Sequence, residues 1–347
     1  MSRAAGPCSG QPPSVEPSRV DSQPAIAADH LSKTYVEGTL RRKTRLALND
    51  LTLDVRRGEI FGLLGGNGAG KTTFIKILLG IIRRSGGQAT VLGFPAGDRR
   101  ARQRIGYLPE NLRVPRHLTA YTALEYYGHL SGLPTRVIRQ RRDALLEKVG
   151  LAGRLKDSVK TYSKGMLQRL GLAQAMLHDP DLFILDEPTD GLDPLARSQV
   201  RGFLAELKQQ GKTIFLNSHI LQEVELICDR VAILDRGVLR RVADVSEITS
   251  GRAPLIEGVP GTDELELHLD LIGPEATIRR VLHDTPPSEW QTLPQDAHRI
   301  VTRVSDQASV DVLVDRLRNG GVSIVGLSRR RLSLEQAYLE IVAEAIE

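Results

Sequence analysis

The stretch "GGNGAGKTT", Gly65 to Thr73, carries the spacing G-x-x-x-x-G-K-[ST]. These residue types suit a polyphosphate. Gly65, Gly66, Gly68 and Gly70, with Asn67 and Ala69 between them, let the backbone curl so that successive N–H groups point at a β-phosphate. Lys71 supplies a cation for the β/γ oxygens, the Thr72 hydroxyl is a ligand for Mg²⁺, and Thr73 completes the run. Asp186 and Glu187 stand at the end of an apolar run, "LFIL". With the phosphate loop, they allow hydrolysis of a phosphoanhydride. Asp186 would hold Mg²⁺ through its water shell, and Glu187 would polarise the attacking water as general base. His219 follows another apolar run, "TIFLN", and joins them only if that run lies in the same sheet; a lone histidine after a strand is otherwise structural.

A further polar turn, Ser163-Lys164-Gly165, opens the helical stretch "YSKGMLQRLGLAQAML". A hydroxyl, a cation and a flexible backbone at a helix start make a second anion site, because the first N–H groups are unpartnered and the dipole is positive there. One bound nucleotide does not need both.

The elements that must position these residues follow from periodicity. "LALNDLTLDVRRGEIFGLLG" reads as two strands around a turn, with Leu46, Leu48, Leu51, Leu53 and Val55 as the apolar positions. "IFGLL", "LFILD", "TIFLN" and "VAILD" are short continuous apolar runs, the mark of strands buried on both faces. They alternate with helical stretches, which predicts a mostly parallel sheet. From about 117 to 178 the pattern is helical, with Leu124, Tyr127 and Leu130 on one face and Leu145, Leu146 and Val149 on another.

The tail from about 252 is a separate α+β pattern. Strict alternation in "ELELHLDL" predicts a strand, followed by helix, strand, helix and strand, with Gly320-Gly321 closing the second helix. A last helix starts at Ser333, where "SLEQ" fits a capping box closed by Gln336. His268, His283 and His298 do not form a metal-binding pattern. Residues 1–24 are rich in Pro, Ser, Gly and Ala and are expected to be disordered.

Bulk properties narrow the class. The 347 residues allow two domains, and 41% hydrophobic with 26% charged residues is the balance of a globular chain. The only cysteines, Cys8 and Cys228, make neither a CxxC pair nor a disulfide framework, so a reduced compartment is expected. No run of eighteen apolar residues and no signal-peptide core is present. The net charge of +5 gathers in short clusters at Arg41-Arg42-Lys43 with Arg45, at Arg99-Arg100 with Arg102 and Arg104, and at Arg329-Arg330-Arg331. They contain few aromatics, so no nucleic-acid partner is expected.

Together these residues resemble the ATP-binding cassette (ABC) family over roughly residues 27–240. The phosphate loop, "IGYLPE" at 105–110, "YSKGM" at 162–166, "LFILDEPTDGLDP" at 182–194 and "NSH" at 217–219 occur in the family's order. The resemblance implies a P-loop NTPase cassette at 25–245, with a mostly parallel sheet core, an antiparallel β subdomain and a helical subdomain at about 111–170. A small α+β domain at 252–347 would follow. It implies ATP and Mg²⁺, with Tyr35 stacking on adenine and Glu110 facing the metal. It also answers the question of the second anion site, since Ser163 and the Gly165 backbone would contact the γ-phosphate held by a second copy of the chain. Asp193 would face that copy. A separate multi-spanning membrane permease is the other expected partner, with Tyr121, Tyr126 and Tyr127 as candidates for its docking groove. The chain would then be cytoplasmic and peripheral to the inner face of the membrane. Three positions depart from the family's usual residues: Lys164 in the signature turn, Glu110 where Gln is usual, and Gly66 where Pro is usual. "YSKGMLQRLGLAQA" is similar to the exporter branch. A soluble ABC ATPase acting on ribosomes or nucleic acid is the alternative.

Overall fold

The computed structural model describes residues 23–37, 43–249, 265–329 and 333–344. Its centre is a six-stranded sheet in the order Val238–Asp244, Arg230–Asp235, Ile60–Leu64, Thr213–Asn217, Leu182–Asp186, Ile105–Leu108. All neighbours are parallel except the first pair, which is antiparallel. The apolar runs explain the order. Every residue of Ile60–Leu64, Leu182–Asp186 and Thr213–Asn217 is buried, as required of strands covered on both faces.

Alternate side chains of these strands feed two cores. Ile60, Leu64, Phe183 and Leu185 enter one shared with the helices Ala120–Leu130, Thr135–Lys148 and Lys164–Met176. Phe61, Leu63, Leu182 and Ile184 enter the other, with the helix Lys71–Leu78 and a four-stranded antiparallel sheet. That sheet runs Lys43–Val55, Ile26–Glu37, Gly86–Val91, Phe94–Pro95. Leu48, Leu51, Leu53 and Val55 are buried as their spacing predicts, whereas Leu46 is exposed. Leu130 corrects a second expectation. Leu124 of its helix is fully buried, but Leu130, in the last turn, has run past the core and is exposed.

A third core belongs to the tail. Four antiparallel strands, in the order Glu289–Leu293, Ala297–Val304, Leu265–Ile272, Ser323–Arg329, carry the helices Glu275–Val281 and Gln307–Asn319. The Glu289–Leu293 edge strand, "EWQTL", has no buried residue and so no pattern from which to expect it. The capping box at Ser333 is present: its hydroxyl accepts from the Gln336 N–H at 3.2 Å, and Gln336 Oε1 accepts from the Ser333 N–H at 3.0 Å. The helix Leu334–Glu344, however, is not covered by the tail. Leu334, Ala337 and Ile341 are buried in the first core, beside Val224 and Val245, so the 252–347 unit drawn from sequence gives up its last helix to the cassette. Spacing shows that a helix has an apolar face, not which body that face will meet.

Two close approaches seat the helix Lys164–Met176. A Cβ on Gly106 would stand 2.4 Å from the Ala175 carbonyl oxygen, and one on Gly171 would stand 2.5 Å from Leu108 Cδ1. The helix Lys164–Met176 therefore rests almost backbone to backbone on the Ile105–Leu108 strand. We expect Gly106→Ala to destabilise the chain by about 1–3 kcal/mol, the range for overpacking a core. Gly153→Ala, with open space around its Cβ position, serves as the near-neutral control. Urea unfolding of the two variants beside the parent chain reads the difference.

Candidate functional site

The C-terminal ends of the parallel strands open into a cavity of about 580 Å³. Tyr35, Gly65, Gly66, Asn67, Gly68, Ala69, Gly70, Lys71, Thr72, Thr73, Glu110, Glu187 and His219 all line it. Apolar runs deliver polar ends to one edge, the place where open α/β sheets bind ligands.

The loop from Gly65 to Gly70 needs glycine at specific points. Gly65, Gly68 and Gly70 have φ of +158°, +82° and +108°, and a Cβ on Gly65 would stand 2.3 Å from the Leu234 carbonyl oxygen. Lys71 begins the following helix, and its ammonium donates to the carbonyls of Gly65 at 2.6 Å and Gly66 at 3.2 Å. Burial lowers the Lys71 pKa, while Glu187, Asp186 and Glu110 act in the opposite sense.

Asp186 is the last residue of its strand and is buried, with Asn217 Nδ2 donating to Oδ1 at 2.5 Å. Burial raises its carboxyl pKa. Asn217 and Lys71 lower it, and Glu110 adds to the rise. Glu187 follows at φ +53°, a left-handed conformation that costs a non-glycine residue about 1–3 kcal/mol. Three neighbours hold it there. Its N–H donates to the Asn217 carbonyl at 2.9 Å, its carbonyl accepts from Gln168 Nε2 at 2.8 Å, and Oε2 lies 2.8 Å from His219 Nδ1. Burial pushes the Glu187 pKa up, and His219 and Lys71 oppose that push. His219 is itself more than half exposed, on the cavity side.

Gln168 and Asn217 are site residues that the sequence reading missed. Asn217 lay inside the quoted "NSH", where only the histidine drew attention. Gln168 lies two residues past "YSKGM", and nothing in its spacing marks an amide that turns to a distant carbonyl.

Ser163 and Gly165 do not line the cavity. Ser163 caps the Lys164–Met176 helix, its Oγ accepting from the Met166 N–H at 3.2 Å. Gly165 faces Leu192, and Lys164 pairs with Asp190, itself a cavity residue. Asp193 also acts within the chain, capping the helix Pro194–Gln209 through the Ala196 N–H at 2.8 Å.

A second cavity, about 520 Å³, lies beside the helical region and includes Arg99, Arg102, Tyr107, Arg113, Tyr127 and Leu130 in its lining. Of the three candidate tyrosines, Tyr127 lines it. Tyr126 packs edge-on against Tyr127, with ring centroids 5.2 Å apart, and Tyr121 lies under the Arg142 guanidinium. In the neighbouring basic cluster, Arg100 pairs with Asp98 and Arg104 with Asp181. Arg41, Arg42, Arg330 and Arg331 lie outside the described residues.

Comparison with known proteins identifies the family. Residues 48–190 match the family model described as ABC transporter. An uncharacterized ABC transporter ATP-binding protein of Synechocystis sp. is 41% identical over 335 residues, 94% of this chain and 89% of that one. A Nod factor export ATP-binding protein I of Cupriavidus pinatubonensis is 40% identical over 65% of this chain and 68% of its own. A solved structure titled as the ATP binding subunit of an ABC transporter aligns with a TM-score of 0.58 at 33% identity, covering 65% of this chain and 91% of that one. The chain belongs to the ABC transporter family, as an ATP-binding subunit with ATPase activity.

Proposed function

We propose that two copies of this chain pair head to tail around two ATP molecules and drive a separate membrane permease, in the direction of export. The observation that carries this reading is the division of the site. The phosphate loop, Glu187 and His219 share one cavity, whereas the anion-binding turn at Ser163 and Gly165 lies outside it, on the N-terminus of a 13-residue helix. A turn built for a phosphate and kept from its own chain's nucleotide suits the nucleotide of another copy. Export is supported by relatives named for Nod factor export and for linearmycin resistance. Among the described residues no helix is long and apolar enough to cross a membrane, so a spanning partner would supply the path. The second cavity, with Tyr127 and its arginines, is the surface offered to that partner. In this reading the chain works in the cytoplasm, peripheral to the inner face of the membrane.

The residues then take these roles. The loop N–H groups and Lys71 hold the β- and γ-phosphates, and Tyr35 stacks on the adenine. Glu187 takes the proton of the attacking water, with His219 orienting its carboxylate. The Thr72 hydroxyl and Glu110, which line the cavity, would face Mg²⁺, and the buried Asp186 would hold it through its water shell, an oxygen donor set that suits this ion. When bound, Mg²⁺ supplies charge neutralisation at the transferred phosphoryl group. Ser163 and Gly165 complete the neighbouring copy's site.

Glu187→Gln should lower ATP turnover by about 10²- to 10⁴-fold, the usual contribution of a general base. It should also accumulate an ATP-dependent dimer by size-exclusion chromatography. A variant that remains monomeric at saturating ATP and Mg²⁺ defeats the head-to-tail reading. The same tagged variant tests the partner, by capture from native membranes solubilised in mild detergent with ATP and Mg²⁺. A stoichiometric multi-spanning protein is the expected companion, and recovery of ribosomes or nucleic acid in its place would overturn the transporter role.

A further inference from the structure

The basic cluster at 99–104 meets a second pair of arginines in the structure. The short helix Arg99–Arg102 follows a turn at Ala96 and Gly97, and the segment Ile81 to Arg84 follows the helix Lys71–Leu78. A Cβ on Gly80 would stand 2.4 Å from Gly97 Cα, so the two segments touch backbone to backbone. A cavity of about 590 Å³ opens where they meet. Ile82, Arg83, Arg84, Ser85 and Gly97 are in its lining, and none of the described lining residues is acidic.

Arg83, Arg84, Arg99 and Arg102 are all exposed, and among the described residues none of them is in an ion pair. Arg84 Nε donates to the Gly87 carbonyl at 2.6 Å and Arg102 Nη1 to the Gly97 carbonyl at 3.0 Å, bonds that orient a guanidinium without neutralising it. The acid beside them, Asp98, is engaged by Arg100, whose Nη2 lies 2.9 Å from Oδ2. Nor do the arginines close the helix before them, since its Lys76 and Ile77 carbonyls accept from the Ile81 and Gly80 N–H groups at 2.9 Å. Next to Arg83, Ile81 is 59% exposed, an apolar side chain that the cores leave out. Exposed isoleucine beside arginines that lack counter-charges is the composition of an interfacial surface. The guanidinium groups meet anionic headgroups, and the apolar side chain enters the boundary beneath them. Among the described residues, no buried polar side-chain atom of this lining lacks a partner, so nothing in it calls for the fixed donors and acceptors of a folded protein.

We propose that the segment Ile81 to Arg84 and the helix Arg99–Arg102 form a membrane-contact surface that binds the anionic lipid headgroups of a bilayer. The proposal rests on the reading of the chain as a peripheral membrane subunit, and it adds an affinity of the cassette for the lipid itself. Arg99 and Arg102 also line the cavity offered to the permease, so the lipid and permease contacts adjoin at one short helix. Attraction of this kind falls off within a Debye length, about 8 Å at physiological ionic strength, and is therefore salt-sensitive.

The test is co-sedimentation of the full chain with vesicles of phosphatidylcholine alone, or of phosphatidylcholine and phosphatidylglycerol in equal parts. We expect binding to the anionic vesicles only, and its loss as salt rises. Arg83→Ala/Arg99→Ala removes no bond within the described chain and should weaken binding by about ten- to thirtyfold, at about fivefold for each arginine near an anionic surface. Arg83→Lys/Arg99→Lys should bind as the parent chain. Arg280→Ala/Arg318→Ala makes the same change in net charge at two exposed arginines of the tail, and should also bind as the parent. Ile81→Ser should weaken vesicle binding by about three- to tenfold through lost apolar burial, and leave binding to heparin, a soluble polyanion, unchanged. Equal binding to both kinds of vesicle, unchanged binding in Arg83→Ala/Arg99→Ala, or an equal loss in the tail variant would overturn the proposal. So would parent-like vesicle binding by Ile81→Ser, because the surface would then answer to charge alone. The assay contains neither permease nor ATP, so its failure leaves the dimer and permease reading standing, and failure of that reading leaves this result legible.

Discussion

Two carboxylates, Asp186 and Glu187, are buried next to each other at the end of one strand, and most of the site follows from the need to hold them there. Each would lose stability in its charged form without partners, and burial already raises both pKa values. The partners come from separate elements. Asn217, from the adjacent parallel strand, donates to Asp186 and also accepts the Glu187 N–H through its carbonyl. His219, just past that strand, lies against the Glu187 carboxylate, and Lys71 faces both acids from the phosphate loop. The parallel register that sets Asp186 opposite Asn217 is thus a condition of this pairing as well as of the fold.

The strained backbone at Glu187 extends the same logic. A left-handed glutamate persists only where surrounding contacts outweigh its cost. Gln168 supplies one of those contacts, from the helix that carries the signature turn at its N-terminus. That helix is seated in turn by the close approaches at Gly106 and Gly171. The turn therefore stands at a fixed place relative to Glu187, although it lies outside the cavity that Glu187 lines.

What the sequence made legible was local. The phosphate loop shows because its glycines meet backbone constraints that few other residues satisfy, and Gly65 and Gly70 do so here. The buried strands show because both faces must be apolar. The Ser333–Gln336 box shows because both partners lie within one turn. What stayed hidden depended on distance along the chain. Gln168 and Asn217 act on residues 19 and 31 positions away, and an isolated amide has no periodicity to reveal it. The docking of the last helix was hidden for the same reason: the partner of Leu334, Glu225, is 109 residues away.

The signature turn poses the opposite electrostatic problem. A helix N-terminus disfavours a cation, yet Lys164 is the first residue of its helix. Asp190 supplies the counter-charge, and Lys164 in return lowers the Asp190 pKa. Asp190 also lines the phosphate-loop cavity, so one ion pair joins the turn to the wall of that cavity. Both partners retain substantial exposure, at 60% and 35% of their side chains, and a pair of that kind contributes about 0–1 kcal/mol. The pair therefore orients the turn without locking it. The backbone of the turn is held instead by the Leu192 contact and the Ser163 cap.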